Sequence, residues 1–499
     1  MKNVVIIGGG VAGLSAGIFA EKCGYNAIIC EKHDKLGGNL TGWQRGGYHI
    51  DNCIHWLTGT NKNTALYKTW VDVAMLGGVG VYSPESLYTY KKGDKKLSLF
   101  RDINRLEKEM IFISPKDEKK IRSFIADVNT VRGLLGTAGK DRDRKLTFFQ
   151  AVKYVPRLIK YVNSSVGQFT KRFDNEVIRG FLNCLLTEDF SSLALLGVFA
   201  TFTGGDGDIP AKGSLAAAKR MEALFIGLGG KVMTKKHAVK INLYGKTATS
   251  VSFADGSTLI GDAFIVTADP KTVFPGLIDV DMPRRLLLQY RDKRLERFSC
   301  FQCAFAVGSK ALPFKGDLIF DLRKKYVGAL GAKRLVLREF SHEASFAPEG
   351  MNVLQAMVFL GEAASRSFID QKNDRAAYES RKSYLCEAVR YAIEDNFPEL
   401  TDRLRPIDSW TPATYHRYVS SDAGTFMGFK FTGGYLPRTI PCGIKGVDNV
   451  FLATQWQRAP GGLPTAAEAG KKAVAALERK FAAAKYAPRA ERSGRAFKA

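Results

Sequence analysis

The stretch Val4-Val5-Ile6-Ile7-Gly8-Gly9-Gly10-Val11-Ala12-Gly13-Leu14-Ser15-Ala16-Gly17 constrains this chain more than any other. Its short β-branched run suits a strand buried on both faces. The run leads directly into G-x-G-x-x-G at Gly8, Gly10 and Gly13. The first glycine permits a tight turn, the second lets backbone approach a pyrophosphate, and the third allows helix to pack closely on strand. The phosphates then sit at the helix N-terminus, beside Val11 and Ala12. Leu14, Ile18 and Phe19 give that helix an apolar face, and Gly24 stops it. A second strand, Asn26 to Cys30, ends in Glu31, a carboxylate placed for ribose hydroxyls, with Lys32 behind it. The glycine pattern alone is a weak signal. Framed by a strand, a helix and an acid at the next strand's end, it reads as a dinucleotide site.

Composition narrows the class. With 499 residues, 45% hydrophobic and 25% charged, the chain is globular and long enough for two domains or more. Met1-Lys2-Asn3 leads into the first strand, so no signal or transit peptide is expected. No apolar run approaches the roughly twenty residues of a membrane span. The eight cysteines are scattered, which points to a reduced, cytoplasmic setting. Cys300-x-x-Cys303 lies in a strand-like run with no second pair or histidine cluster, so it reads as buried small hydrophobes and no metal is expected. The formal charge of +25 suits an acidic partner such as an anionic membrane or substrate, and equally a plain basic surface. No nucleic-acid module appears and the lysines are spread, so no nucleic-acid partner is expected.

Leu36-Gly37-Gly38-Asn39 again offers paired glycines for close backbone approach. Gly46-Gly47-Tyr48-His49-Ile50-Asp51 reads as a turn into a strand, followed by Ile54-His55-Trp56. The spacing from G-x-G-x-x-G through E-x(5)-GG to G-x-x-x-D resembles the FAD-dependent amine oxidase and phytoene desaturase superfamily. Residues 95–200 change to helical periodicity, with helices expected over 116–131, 148–162 and 174–186. Basic and aromatic residues interleave from Lys153 through Arg157, Lys160 and Tyr161. That pattern suits a membrane surface and equally an ordinary solvated face. A helix from Leu215 to Leu228, short strands near Lys231 and Val239, and a hairpin at Asp255-Gly256 precede a strand ending near Ala268. In the resembled superfamily this block returns to the nucleotide domain, with Val239 where main chain meets adenine. Ser345-Phe346-Ala347-Pro348-Glu349-Gly350 and the segment from Thr411-Pro412 resemble its substrate domain.

The chain closes with a buried strand over 447–453, then Thr454-Gln455-Trp456-Gln457-Arg458-Ala459-Pro460-Gly461-Gly462-Leu463-Pro464-Thr465 entering a last helix. This run resembles the flavin-contacting ending of phytoene desaturases, carotenoid isomerases and retinol saturases. Gln455 departs from the usual acid there; it can still hydrogen-bond a ribityl hydroxyl but brings no charge. The resemblance implies an α/β fold with a doubly wound, Rossmann-like FAD-binding domain of the glutathione reductase type and an inserted α+β substrate domain. The FAD domain is expected over 1–90, 205–280 and 440–485, the substrate domain over 91–204 and 281–439, and a disordered basic tail over 486–499. The expected cofactor is noncovalent FAD, held by Gly8, Gly10, Val11, Ala12, Gly13, Glu31, Lys32, Gly37, Gly38, Asn39, Ile54, His55, Val239, Ala268, Gln455, Gly462, Leu463 and Thr465.

His55, Trp56 and Trp456 are the candidates at the reacting ring, with Arg45, Arg458 and Tyr415 behind them. The implied activity is desaturation, saturation or isomerisation of C=C bonds in a lipophilic isoprenoid or lipid. Amine oxidation and a non-catalytic flavin-stabilised binding protein are the alternatives. Oligomeric state is left open.

Overall fold

Three separated segments of chain supply one parallel sheet, in the order Val450–Leu452, Ala263–Val266, Asn3–Ile7, Asn26–Cys30, Lys231–Met233. In this computed structural model, residues 1–135 and 148–486 are described. The expected tail lies outside them beyond residue 486, as does the side chain of Lys153. Val4, Val5 and Ile6 have no exposed surface, as a strand covered on both faces requires.

The first helix (Val11–Lys22) covers one face and is clasped by the final helix (Gly462–Tyr486). Gly470 makes that clasp possible, because a Cβ there would meet Ala12 O at 2.4 Å and Ala16 N at 2.7 Å. Ser15 Oγ donates to Ala467 O at 2.7 Å across the same contact. A three-stranded antiparallel sheet (Ala238–Tyr244, Thr247–Phe253, Thr258–Ile260), with Asp255-Gly256 in its second turn, lies on the other face. This is the Rossmann-like α/β arrangement expected.

The second body is an eight-stranded mixed sheet. Its order is Arg405–Trp410, Leu295–Gly308, Met351–Gly361, Arg334–Glu339, Asp317–Asp321, Ser86–Lys92, Lys95–Phe100, with Phe429–Phe431 paired to the start of Leu295–Gly308. All neighbours are antiparallel except Asp317–Asp321 with Ser86–Lys92. The Leu295–Gly308 strand alternates between two cores. Phe301, Cys303, Phe305 and Val307 pack toward Arg375–Asn396. Phe298, Cys300, Ala304 and Ala306 face the helical layer. Cys300 and Cys303 are fully buried, as small hydrophobes would be.

The helical layer contains Glu118–Leu134, Phe148–Asn163, Glu176–Cys184 and Ser192–Thr203, within three residues of the periodicity where it was expected. Among the described residues, no helix is long and apolar enough to cross a membrane.

Candidate active site

A cavity of about 990 Å³ runs between the two sheets. At one end is the glycine turn. Gly8 has φ +101° and a Cβ there would meet Thr267 Oγ1 at 2.3 Å, while a Cβ on Gly13 would lie 1.9 Å from Gly8 O. Those two glycines are therefore demanded by the fold itself. Gly10 is different. A Cβ on it would meet nothing closer than Gly38 Cα at 3.9 Å, and the residue lines the cavity. Gly10 caps the first helix without any side-chain hydrogen bond, and no acid stands in its first turn. The buried Val11 and Ala12 also line the cavity. Helix-terminal amides buried in this way call for an anionic acceptor.

Gly37 and Gly38 lie against the same turn, with Gly37 N donating to Gly9 O at 2.9 Å. Glu31 is 7% exposed, accepts from Gly9 N at 2.8 Å and from His33 N at 3.0 Å, and borders the cavity. Lys32 Nζ donates to Arg417 O and Ser420 Oγ, and burial draws its pKa down. Val239 and Ala268 close this end. The cradle that a Cβ would fill, the uncapped amides and the partly satisfied carboxylate fit the adenosine and pyrophosphate of a dinucleotide.

The opposite wall is the turn into the final helix. Gly461 and Gly462 have φ of +86° and +80°. Gln455 lines the cavity, and its Oε1 accepts from Gly462 N at 3.0 Å, so this residue also pins the turn. Leu463 and Thr465 begin the helix at the cavity wall, and Pro464 between them has no amide. A 25-residue helix thus ends at the cavity with positive dipole end inward and no acid in its first turn. Trp456 also borders the cavity, but it is 3% exposed and its ring packs T-shaped on Phe429 at 4.9 Å and stacks on Tyr290 at 5.7 Å. Arg458 is at the rim.

His55 and Trp56 line the same space; Ile54 does not. Ile54 N already donates to Ser214 Oγ at 2.8 Å, and the residue borders a separate 270 Å³ pocket. Its neighbour Asp51 caps the Gly213–Gly227 helix, accepting from Ser214 N at 2.6 Å. Arg45 pairs with Asp408 on the surface, outside the cavity. Tyr415 lies just behind the wall, buried, with its hydroxyl in a hydrogen-bonded network.

Beyond these residues the cavity becomes apolar, with Leu87, Phe190, Val198, Phe298, Met357 and Phe426 on its wall. Two polar partners here come from strands that no local motif marks. Asp317 Oδ2 lies 3.8 Å from His55 Nδ1. Arg338, 3% exposed, donates to Ile54 O at 2.5 Å and His55 O at 3.0 Å, with its Nε 3.6 Å from Asp317 Oδ1. Together they hold the His55 loop against the chamber. Among the described residues, no cluster of His, Cys, Asp or Glu could hold a metal ion.

A glycine turn opening a helix, an acid closing the next strand and a second helix terminus across one cavity define a Rossmann-type dinucleotide-binding oxidoreductase fold. Residues 6–73 match the NAD(P)-binding Rossmann-like domain model. Over nearly the whole chain the protein is similar to prolycopene isomerase 1, chloroplastic, of an Oncidium hybrid cultivar, at 20% identity over 89% of this chain and 77% of that one. It is also 26% identical to a lycopene-forming phytoene desaturase of Paracoccus sp. (strain N81106 / MBIC 01143), over 54% of this chain and 55% of that one. In fold it is similar to an oxidoreductase from Methanosarcina mazei, with TM-score 0.64 and 15% identity over 96% of this chain and 100% of that one. Motif order and relatives support the FAD-dependent amine oxidase and phytoene desaturase-like superfamily, which implies a flavin cofactor.

Proposed function

We propose that the protein is an FAD-dependent oxidoreductase acting on C=C bonds of a lipophilic isoprenoid or lipid, by desaturation, saturation or isomerisation. One observation carries this reading: the cavity that begins at the pyrophosphate turn continues, past the final helix terminus, into an apolar chamber. Residues 1–90, 205–280 and 440–485 are read as the cofactor domain and the intervening segments as the substrate domain. When bound, the flavin supplies two-electron exchange with carbon. The turn amides hold the pyrophosphate, Glu31 takes ribose hydroxyls, and the amides of Leu463 and Thr465 stabilise negative charge on the ring. The apolar wall excludes water and orients an extended hydrocarbon. His55, steadied by Asp317 and Arg338, holds or moves a proton at its imidazole.

The FAD is read as noncovalent. Burial pushes the Cys53 thiol at the cavity wall up to about 12, so it is not the thiolate that a covalent link would need. Amine oxidation has less support, because the ring of Trp456 is committed to Phe429 and Tyr290 rather than to one side of an aromatic cage.

Peripheral membrane association belongs to the same reading. Val155 and Ile159 are about half exposed on the helix that carries the exposed Arg157 and Lys160, and Leu134 and Leu135 are as exposed at the end of the Glu118–Leu134 helix. Purified protein should be yellow and release FAD, not FMN, on acid precipitation. Lipid extracts of cells with and without the gene should differ in an unsaturated lipid. Colourless protein that FAD does not reconstitute, or identical lipid profiles, would contradict the proposal.

A further inference from the structure

We propose that Gln302 presents a fixed hydrogen-bond acceptor to the ring end of the bound flavin and so sets its reduction potential; this rests on the cofactor reading above. Gln302 is in the Leu295–Gly308 strand, is 4% exposed and lines the cavity. A network behind it fixes which way its amide points. Trp410 Nε1, which can only donate, donates to the Tyr415 hydroxyl oxygen at 3.0 Å. Asn52 Nδ2 donates to Asn39 O at 3.1 Å, leaving Asn52 Oδ1 to accept from the Tyr415 hydroxyl at 3.1 Å. The single phenolic proton is thereby used, and burial holds the Tyr415 phenol well above its ordinary pKa, so that proton stays in place.

The remaining lone pair on the Tyr415 oxygen accepts from Gln302 Nε2 at 2.8 Å, and the same Nε2 lies 3.4 Å from Cys300 Sγ. The amide cannot turn over without setting two acceptors against each other. Gln302 Oε1 therefore remains as the group shown to the cavity, and it accepts no hydrogen bond among the described residues.

An acceptor on a side chain this nearly buried, with no donor from the protein, is completed by whatever enters the cavity. Phe298, Met357 and Phe359 surround it on the chamber side, and a hydrocarbon substrate offers no donor. The chain Gln302–Tyr415–Asn52 instead ties it to the segment that continues to His55 and Trp56, the part of the cavity read as the ring end. A flavin gains a ring N–H on reduction that its oxidised form lacks. An acceptor held for that donor favours the reduced state.

The test is the two-electron potential of the holoenzyme, measured by anaerobic dye equilibration. Gln302→Leu should keep its FAD and shift the reduced-to-oxidised equilibrium about tenfold toward oxidised, which is about 30 mV lower for a two-electron couple. Tyr415→Phe, which removes one oxygen and frees the amide to turn, should shift it in the same direction by less. It also carries the test if Gln302→Leu fails to fold. Potentials unchanged in FAD-loaded variants would overturn the proposal. So would variants whose potential is unchanged but whose affinity for a hydroxylated polyene falls relative to a hydrocarbon one, since the acceptor would then serve the substrate. Wild-type protein that takes up no FAD would instead overturn the cofactor reading on which this one rests.

Discussion

Replacing Gly10 with alanine separates what the fold needs from what the cofactor needs. Gly10 has φ −71° and ψ −176°, a conformation open to any L-residue, and an added methyl would approach nothing nearer than Gly38 Cα at 3.9 Å. Apo stability in urea should be unchanged, or higher by up to about 1 kcal/mol through the stiffer unfolded chain. Cofactor affinity should collapse, because the methyl occupies the place where the pyrophosphate meets the turn. Losing two charge-assisted hydrogen bonds at roughly 1.5 kcal/mol each costs about 3 kcal/mol. That corresponds to roughly a hundredfold in Kd. Titration of apoprotein with FAD, followed by flavin fluorescence, reads this directly. Gly13→Ala is the contrasting case: its methyl would lie 1.9 Å from Gly8 O, so helix and strand must part and stability should also fall, by about 1–3 kcal/mol. Gly13→Val should abolish loading. A Gly10→Ala protein that binds FAD as tightly as the wild type would refute the placement of the phosphates.

Asp117 gives a pH-dependent prediction. Burial raises its pKa, but hydrogen bonds from Asp174 N, Asn175 N, Ser114 Oγ and Lys120 Nζ outweigh that and hold it at about 2, against 3.8 unfolded. A depressed carboxyl stabilises above its unfolded pKa, so about 2 kcal/mol present at pH 7 should be lost as pH falls from about 4 toward 2. Asp117→Ala should cost at least that at neutral pH, with the gap to wild type closing in acid; a gap independent of pH would contradict the argument. His55→Phe should slow the proton-requiring step by roughly 10²-fold or more while leaving the bound flavin spectrum intact, and Asp317→Asn should have a smaller effect; turnover unchanged in His55→Phe would remove the imidazole from the reaction. Anionic vesicles should bind the protein at 0.01 M salt and release it as the Debye length falls to about 8 Å at 0.15 M; neutralising Arg157 and Lys160 with Lys153 should weaken binding, and equal binding to neutral vesicles would exclude an electrostatic role.

The cofactor half of the site was legible because its chemistry is local in sequence. A strand, three glycines and an acid at the next strand's end fall within about thirty residues, and the last helix announces itself with a glycine pair. The chamber half was not. Asp317, Arg338 and Gln302 stand in strands of a mixed sheet, in no local motif, and only the pairing of distant strands brings them to His55 and Asn52. Ile54 shows the same limit from the other side. Its position beside His55 suggested the cavity, but the backbone turn there points alternate side chains to two different pockets. Gln455 looked like a ligand for a ribityl hydroxyl because its neighbours are at the flavin turn. Its carbonyl also accepts within the turn, seven residues along the chain, a second role that no local motif announces. Tyr415, read as a candidate at the ring, stands behind the cavity wall, where its hydroxyl bonds with Gln302, Trp410 and Asn52.

The most direct measurement of the central claim is anaerobic: chemically reduced holoenzyme mixed with a lipophilic polyene, with flavin absorbance and the polyene's isomers and mass followed together. One of two results is expected, reoxidation of the flavin with saturation of a C=C bond or isomerisation with no net electron flow. In the reverse experiment, bleaching of oxidised flavin by the polyene would mark a desaturase. If amines bleach the oxidised flavin and no unsaturated lipid ever reacts with either form, the claim that this protein works on C=C bonds is contradicted.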